Sequence, residues 1–499
     1  MQQVRAVMAG PVLLVRPGAP LGESVSRMRA EGAVAAVVLE DGAALGTLSE
    51  PEACAAASDR PGRLASDAMR PALGTIDASE DLGEALGMLA RPGSGHLVVT
   101  SDGTVVGVVS LADLAPVLSI GPAATPPGLK GVVVADTEVS DVRGEEGFYH
   151  YRQYSAVELA EKRPLEDSWR LLVDGALPRD RGQQEAFAAE VRPLRQASPL
   201  VMQTLPAIAG ASEPLEGLRT ALSLAAAERG LRPLYDIDPA ARRADALFVA
   251  ALTPTLLAGL YRLRHGKEPV PARPDLAAGA NYLWMLSGAE PSPGHAGAVE
   301  RYLTSTIDHG FSASTFTARV IASTGADLGA CLVGAIGALS GPLHGGAPSR
   351  ALELFDEIGS PERARSVIES KMQRGERIMG FGHAVYRTED PRSNMLREVA
   401  RRLGGPLAEL ALEVERTVVE VLAELKPGRR LYANVEFYAG VVMAACGIPK
   451  EMFTPTFASS RVIGWTANVL EQAGDPKIIR PSARYVGPPP PQPVPALER

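Results

Sequence analysis

The stretch Gly341-Pro342-Leu343-His344-Gly345-Gly346-Ala347 places one histidine among three glycines. Two further turns of this kind follow, Gly380-Phe381-Gly382-His383 and Asn434-Val435-Glu436-Phe437-Tyr438-Ala439-Gly440. A glycine near a polar side chain lets the backbone approach a bound molecule closely. A single histidine in a protein of this size is more often structural than catalytic. Two histidines and one carboxylate in such turns nevertheless predict a common reaction site.

Further motifs accompany these turns in a fixed order. They are Asp308-His309-Gly310, the run Ala313 to Arg319, the GPLHGGA stretch, GFGHAVYR at 380–387, Asp390-Pro391-Arg392, NVEFYAG at 434–440, Arg461 within FASSRVIGW, and Lys477 to Pro481. This ordered set resembles the citrate synthase family, and the resemblance runs from about Gly128 to Gly487. One such motif alone would be a weak match, whereas the whole series in order is a strong one.

The resemblance implies an acyltransferase that condenses acetyl-CoA with oxaloacetate and hydrolyses the thioester, giving citrate and CoA. Such a condensation requires a base for a weakly acidic methyl proton and a donor for the enolate oxygen. By motif, Glu436 is implied as the base and His344 as the donor to the thioester oxygen. His383 is implied to polarise the ketone of oxaloacetate. No metal and no tightly bound cofactor are expected.

Arginines of the motifs are expected to bind the substrates, because planar guanidinium groups bind carboxylates in a bidentate manner. The resemblance implies Arg392, Arg461 and His309 as oxaloacetate contacts and Arg387 as a contact to a CoA phosphate. It implies that Arg480 reaches into the site of a partner subunit, so a homodimer or higher homo-oligomer is expected. The alternative for each arginine is a surface ion pair.

Two positions depart from the family pattern. Glu436 stands where the family usually has aspartate, and Pro348 follows GPLHGGA where an asparagine is usual. One additional methylene moves a carboxylate, and about 1 Å of misplacement costs about a hundredfold in rate. The substrate therefore stays open between acetyl-CoA and propionyl-CoA, which would give 2-methylcitrate. A third alternative is a non-catalytic regulator that only binds CoA esters and nucleotides.

The first part of the chain contains an internal repeat. Residues 8–53 and 69–114 match at a constant offset of 61, and each copy has an apolar helix pattern, a β-rich run and an Asp-Gly turn. The two copies resemble a tandem pair of cystathionine-β-synthase-type (CBS) domains, a module that often binds adenine nucleotides. The resemblance implies an α/β fold for this part and an adenine nucleotide as effector.

The ribose-binding pattern of that module is met in the second copy by Gly107, Ser110 and Asp113. The carboxylate would accept hydrogen bonds from ribose hydroxyls. The first copy departs from the pattern at Pro51 and Glu52, so a ligand site is expected only in the second copy. The alternative is a packing or dimerisation module without a ligand.

The overall expectation is a multidomain protein with an N-terminal α/β CBS pair followed by a mainly all-α citrate synthase fold. The expected domains are 1–118 for the CBS pair, 119–128 for a Pro-rich linker, 129–345 with 448–487 for a large helical domain, 346–447 for a small helical domain, and 488–499 for a disordered Pro-rich tail.

Local patterns support the helical assignment. Pro214 and Pro406 each precede a helical apolar period and fit the first position of a helix, and Lys426-Pro427-Gly428 is expected to end the second helix. Gly131–Val134 and Phe148–Tyr151 are β-rich and predict a small strand region. The proline-rich run from residue 115 to residue 128 lacks any period and predicts a semi-rigid linker.

Composition and charge argue against several classes of protein. The chain has 499 residues, 46% of them hydrophobic and 22% charged, and a net charge of −8 disfavours nucleic acid as a partner. Cys54, Cys331 and Cys446 have no spacing typical of disulfides or zinc sites. The apolar run Leu328–Leu343 is too short to span a membrane and predicts a buried helix with His344 at its end. No signal peptide is recognisable, and a cytoplasmic location is expected.

Overall fold

The computed structural model describes residues 3–59, 62–72, 74–89, 95–118, 127–129, 131–344, 347–376, 378–382, 385–425, 431–475, 477–483, 485–488 and 490–494, with only the backbone at 58–59, 115–118, 127 and 347–351. The chain divides into two compact units, Met1–Val133 and Val134–Arg499.

The first unit is an α/β structure built from two similar halves. Its strands and helices are, in order, β1 Val12–Val15, α1 Leu21–Glu31, β2 Ala35–Glu40, β3 Ala43–Ser49, α2 Glu50–Asp59, α3 Ala65–Ala68, β4 Arg70–Pro71, β5 Thr75–Asp77, α4 Leu82–Leu89, β6 Leu97–Ser101, β7 Thr104–Val109 and α5 Leu111–Leu118. In the first half β1 is parallel to β2 and β2 antiparallel to β3, and β5, β6 and β7 repeat this arrangement. The structure therefore confirms the internal repeat.

The two halves exchange short segments of backbone. Strand β4, which precedes the second half, pairs with β3 of the first, while Ala9, which precedes the first half, pairs with Val108 on β7. This exchange explains a glycine in each half, because a Cβ on Gly46 would lie 2.5 Å from the carbonyl oxygen of Arg70 and one on Gly107 would lie 2.8 Å from that of Ala9. Packing against Ala9 thus explains a glycine at position 107, whether or not Gly107 also contacts a ligand.

The second unit begins with a small antiparallel sheet and is otherwise helical. The strands are β8 Ser140–Arg143, β9 Phe148–Tyr151 and β10 Tyr154–Ser155. The helices are α6 Ala156–Lys162, α7 Leu165–Asp174, α8 Arg181–Val191, α9 Pro199–Ala211, α10 Pro214–Arg229, α11 Pro239–Arg264, α12 Ala278–Ser287, α13 Pro293–Ser305, α14 Ala313–Ala322, α15 Leu328–Leu339, α16 Ala347–Ile358, α17 Pro361–Gln373, α18 Pro391–Leu403, α19 Pro406–Leu425, α20 Val435–Ala445 and α21 Phe453–Gln472. The prediction of a mainly helical body is confirmed.

A long apolar helix lies at the centre of this unit. Helix α11 is long and apolar enough to cross a membrane by length and composition alone, with a mean hydropathy of 1.5 in its most apolar window. Of that window, 67% is buried inside the protein, as expected for a core helix. It packs against α10 and α21, and α15 joins the same core.

Several local predictions can be compared with the structure. Pro214 and Pro406 are the first residues of α10 and α19, as predicted, whereas residues 426–428 lie outside the described residues. The strand expected at 131–134 was wrong, because those residues have no strand partner and Phe148–Tyr151 pairs instead with β8. Residues 115–118 of the proline-rich run form the last turn of α5, so a linker can begin only after them, as in the expected 119–128.

Candidate functional site

The turn between α13 and α14 carries His309. Its neighbour Asp308 is buried and accepts hydrogen bonds from the hydroxyl of Ser140 on β8 and from Nδ2 of Asn468 on α21 at 3.2 Å. These hydrogen bonds fix the turn to strand β8 and to helix α21. The His309 ring lies with its Nε2 3.0 Å from the hydroxyl of Tyr386. His309 is thus held as a half-buried imidazole at a defined position.

His344 lies just beyond the C-terminal end of α15. The helix ends at Leu339, and the His344 amide donates to the Gly341 carbonyl at 2.9 Å, closing a tight turn. Nε2 of His344 lies 2.8 Å from the hydroxyl of Ser314 on α14. Burial lowers the pKa of His344 and the nearby charge of Arg461 lowers it further. The imidazole is therefore neutral at neutral pH and can donate a hydrogen bond to a developing oxyanion.

Arg392 forms a buried ion pair at the start of α18. Asp390 caps the helix, and its carboxylate accepts from Arg392 Nε at 3.0 Å and from Nη2 at 2.8 Å. Asp390 Oδ2 also accepts from the amide of Val435 at 3.1 Å, which ties the start of α20 to α18. Burial lowers the pKa of Arg392, but the charge of Asp390 outweighs this, and the pKa lies above its ordinary value. The guanidinium sits between the rings of Tyr149 and Tyr386.

Arg461 on α21 differs from Arg392 because no carboxylate of the described residues lies within ion-pair distance. Its side chain is buried, with Nε donating to the Thr306 carbonyl at 2.9 Å and the guanidinium 4.5 Å from the Phe457 ring centre. Burial lowers the pKa of Arg461, although the charge of Asp308 opposes this. A buried cation without a paired anion is costly. The arrangement therefore favours binding of an anionic ligand.

Glu436 is the second residue of α20. The helix is preceded by Asn434, whose amide donates to the Gly380 carbonyl at 2.8 Å and whose Nδ2 donates to the Gly382 carbonyl at 2.9 Å. The segment 380–382 is thus fixed beside Glu436, while His383 itself lies outside the described residues. Oε2 of Glu436 is buried and has no hydrogen-bond partner among the described residues. Burial raises the pKa of Glu436, and the charge of Arg392 partly opposes this.

These side chains share one region of the helical unit. The charge of Arg461 acts on His344, that of Arg392 acts on Glu436, and the two guanidinium groups act on each other. Residues 128–482 match the family model described as citrate synthase, C-terminal domain. The chain belongs to the citrate synthase family. Residues 65–119 match the CBS domain model.

Individual relatives of this chain agree with the family assignment. A citrate synthase of Deinococcus radiodurans is 36% identical, covering 72% of this chain and 95% of the relative. A 2-methylcitrate synthase of Shewanella oneidensis is 35% identical, covering 74% and 97%. The crystal structure of citrate synthase from Thermotoga maritima superposes with a TM-score of 0.65 at 34% identity, covering 74% and 97%. The protein is accordingly an acyltransferase of the citrate synthase type.

Two arginines that the citrate synthase resemblance assigned to substrates lie on the surface. Arg387 is exposed, its amide donating to the Gly144 carbonyl at 3.1 Å and its Nε 4.0 Å from a Glu145 oxygen. Arg480 is also exposed and follows Ile479, whose amide donates to the Ser323 hydroxyl. The structure brings together His309, His344, Arg392, Arg461 and Glu436, and it leaves these two arginines outside the group.

Two of the three residues assigned to the CBS nucleotide site, Ser110 and Asp113, cap helix α5. The Ser110 hydroxyl and amide donate to Asp113 Oδ2 at 2.6 and 2.8 Å. In the first copy the Ser49 hydroxyl donates to Glu52 Oε2 at 2.7 Å. Glu52 therefore performs the same capping function as Asp113, although the sequence pattern treated it as a departure.

Some residues that shape the site were not assigned a role from sequence. Ser314 contacts His344, Tyr386 contacts His309, Asp390 pairs with Arg392, and Asp308 fixes the turn of His309. All four lie inside motifs that were recognised. The motif indicates that a residue matters, but its partner is known only once the fold is known.

Proposed function

We propose that this protein condenses acetyl-CoA with oxaloacetate and hydrolyses the product thioester to citrate and CoA. The observation that carries the proposal is the buried Oε2 of Glu436, which has no hydrogen-bond partner among the described residues. It lies in the same region as a neutral His344 and as Arg461, whose guanidinium forms no ion pair with a described carboxylate. A base, an oxyanion donor and an anion-binding cation are the groups that this reaction needs.

In the proposed reaction, Glu436 takes a proton from the acyl methyl group as the C–H bond breaks. His344 donates a hydrogen bond to the enolate oxygen. The methylene carbon attacks the ketone of oxaloacetate, whose oxygen takes up a proton and becomes the hydroxyl of the product. His383 is proposed on its motif alone as the group that polarises this ketone. Water then cleaves the thioester, and CoA leaves as the thiol.

Arg392 and Arg461 are proposed to bind the two carboxylates of oxaloacetate, with His309 as a further contact. Arg461 is the stronger candidate for direct pairing, since its charge is not neutralised by a described carboxylate, whereas Asp390 already neutralises Arg392. A substrate carboxylate would compensate the buried charge of Arg461 and be held in a fixed orientation.

The test is release of CoA thiol from acetyl-CoA and from propionyl-CoA, each with and without oxaloacetate. We expect release from acetyl-CoA that depends on oxaloacetate and falls about 10²–10³-fold in His344→Ala, as for loss of an oxyanion donor. Faster release from propionyl-CoA would favour a 2-methylcitrate synthase, which the relative from Shewanella oneidensis supports as the second candidate. Binding of CoA esters without any thiol release would indicate a regulator instead.

We infer that the sites are shared between subunits of a homodimer or higher homo-oligomer. The exposed Arg480 supports this, because a side chain free on its own surface is available to a partner. Mixing Arg480→Ala with His344→Ala under subunit exchange should restore part of the activity, since hybrid dimers would contain one intact site. Failure to recover activity after proven exchange would contradict a shared site.

We also propose that the CBS pair binds an adenine nucleotide through Gly107, Ser110 and Asp113. Asp113 uses Oδ2 to cap α5, and its other oxygen is suited to accept a ribose hydroxyl. Calorimetry of the full-length protein with ATP, ADP and AMP should show binding that Asp113→Asn abolishes. The capping variant Glu52→Gln serves as a matched control and should retain binding. No heat at millimolar nucleotide would leave the pair as a packing module.

A further inference from the structure

Tyr302 on α13 has a hydroxyl that no described residue satisfies. The side chain is 1% exposed, and its hydroxyl is buried without a hydrogen bond to any described group. Buried tyrosine hydroxyls normally have a partner. Three neighbours in the same unit follow that rule, as Tyr149 donates to the Ser305 carbonyl, Tyr151 to the Thr304 carbonyl, and Tyr282 bonds the Thr456 hydroxyl.

The position of Tyr302 places its hydroxyl beside the reaction site. Helix α13 packs against α18, α20 and α21, which carry Arg392, Glu436 and Arg461. Burial raises the pKa of Tyr302, and the negative charge of Glu436 raises it further, while the charges of Arg461 and Arg392 lower it. These three groups are therefore its electrostatic neighbours.

Two buried polar atoms that no described residue satisfies thus occur in one region, and they are chemically complementary. The Tyr302 hydroxyl has a proton to donate, and Glu436 Oε2 accepts protons or hydrogen bonds. Leaving either one unsatisfied in a buried site costs free energy. The side chain of Glu436 has three rotatable bonds, so its carboxylate can adopt other orientations, and α13 packs directly against α20.

We propose that Tyr302 is a positioning residue for Glu436, its hydroxyl donating a hydrogen bond to Oε2 so that Oε1 faces the methyl group of the acyl-CoA. The inference rests on the proposed role of Glu436 as the base. In this arrangement the methyl proton is transferred to Oε1, while Oε2 stays bound to Tyr302. The hydrogen bond favours the ionised carboxylate and so opposes the effect of burial on its pKa.

The charges and dipoles of neighbouring groups act on both members of this pair. Arg392 on α18 and Asp390, which caps that helix, act on Glu436. Arg461 on α21, Tyr282 on α12 and Arg392 act on Tyr302. Only Tyr302 is an unsatisfied donor among them in the described structure. Its removal is therefore expected to affect the carboxylate without changing the charge of the site.

The experiment compares Tyr302→Phe with Tyr282→Phe, a matched loss of a buried hydroxyl that is bound to Thr456 and is not proposed to contact Glu436 or substrate. Tyr302→Phe should lower kcat about 10- to 100-fold, because the base loses its orientation, with KM for both substrates within about twofold. The acid limb of its kcat profile should move to higher pH, since removing a donor to the ionised form raises the pKa of Glu436. Tyr282→Phe should lower the unfolding temperature and leave the acid limb in place.

A second variant keeps the test independent of folding. Incorporation of 3-fluorotyrosine at position 302 retains the hydroxyl and makes it a stronger donor, so the acid limb should move to lower pH. An active wild type whose acid limb does not move in either Tyr302 variant would overturn the positioning role and leave the proposed function intact. A wild type that releases no thiol would overturn the proposed function first, and the role of Tyr302 with it.

Discussion

Glu300 on α13 and Glu436 on α20 are both half-buried carboxylates of the helical unit, yet their surroundings differ. Glu300 Oε1 accepts from the Leu165 amide at 2.8 Å and Oε2 accepts from the Gly279 amide at 2.6 Å. Glu436 Oε2 accepts from none of the described residues. Burial is the largest cause of a raised pKa at both positions.

The comparison shows that burial and a raised pKa do not separate a structural carboxylate from a reactive one. The hydrogen bonds that the carboxylate oxygens already accept distinguish the two kinds of carboxylate more directly. Glu300 joins the starts of α7 and α12 to α13, so both of its oxygens are already in use. Glu436 keeps an oxygen available, which is what a base must have before substrate arrives. Each prediction that follows acts on one of these two residues.

The largest expected effect is on catalysis at Glu436. Glu436→Gln should lower kcat about 10²–10⁴-fold, because an amide cannot take the methyl proton, whereas Glu300→Gln should change kcat by no more than about threefold. Steady-state thiol release from acetyl-CoA with oxaloacetate measures both. An unchanged rate in Glu436→Gln would exclude this carboxylate as the base and favour a regulator that binds CoA esters without turnover.

The next effect is on stability at Glu300. Glu300→Gln leaves one backbone N–H facing an amide N–H₂ group and should lower the free energy of unfolding by about 1–3 kcal/mol. Glu290→Gln is the matched control, because Glu290 is exposed and its ion pair with Arg273 contributes at most about 1 kcal/mol. Thermal unfolding of the full chain measures both variants. Equal unfolding temperatures for the two would contradict a structural role for Glu300.

Features of the fold that depend only on residues adjacent in sequence were predictable from the sequence. Pro214 and Pro406 mark helix starts because proline suits the first helical turn, and the Asp41-Gly42 and Asp102-Gly103 turns adopt the positive φ values that hairpins need. The valines at 132–134 misled the prediction, because strand formation depends on a pairing partner more than on side-chain preference.

The site was predictable as a set of residues and not as a set of contacts. Glycine-rich motifs indicated His344 and Glu436, and the structure places both among buried charged groups. The contact of Ser314 with His344 spans 30 residues of sequence and that of Tyr386 with His309 spans 77. Such pairs follow from helix packing, which no local pattern contains. Tyr302 lies in no motif, and only the packed structure reveals that no described residue bonds its hydroxyl.

The smallest expected effect is the pH dependence of stability at Glu300, where burial and the charge of Glu166 raise the pKa to about 7. The folded state therefore keeps this proton to higher pH than the unfolded chain, where a glutamate titrates near pKa 4.3. The stabilisation is complete below about pH 4.3 and is lost as the pH rises towards 7.

Between about pH 5 and 8 the unfolding temperature of the wild type should thus fall by about 1–3 °C more than that of Glu300→Gln, which has no proton to lose there. Activity should instead rise with pH. Glu436 must be ionised to act as a base, so the rate increases as the pH passes its raised pKa. Thermal unfolding and kcat measured over the same pH series test both slopes. Parallel unfolding curves for wild type and Glu300→Gln would show that the two amide donors keep Glu300 ionised throughout, and the two carboxylates would then differ in charge state as well as in partners.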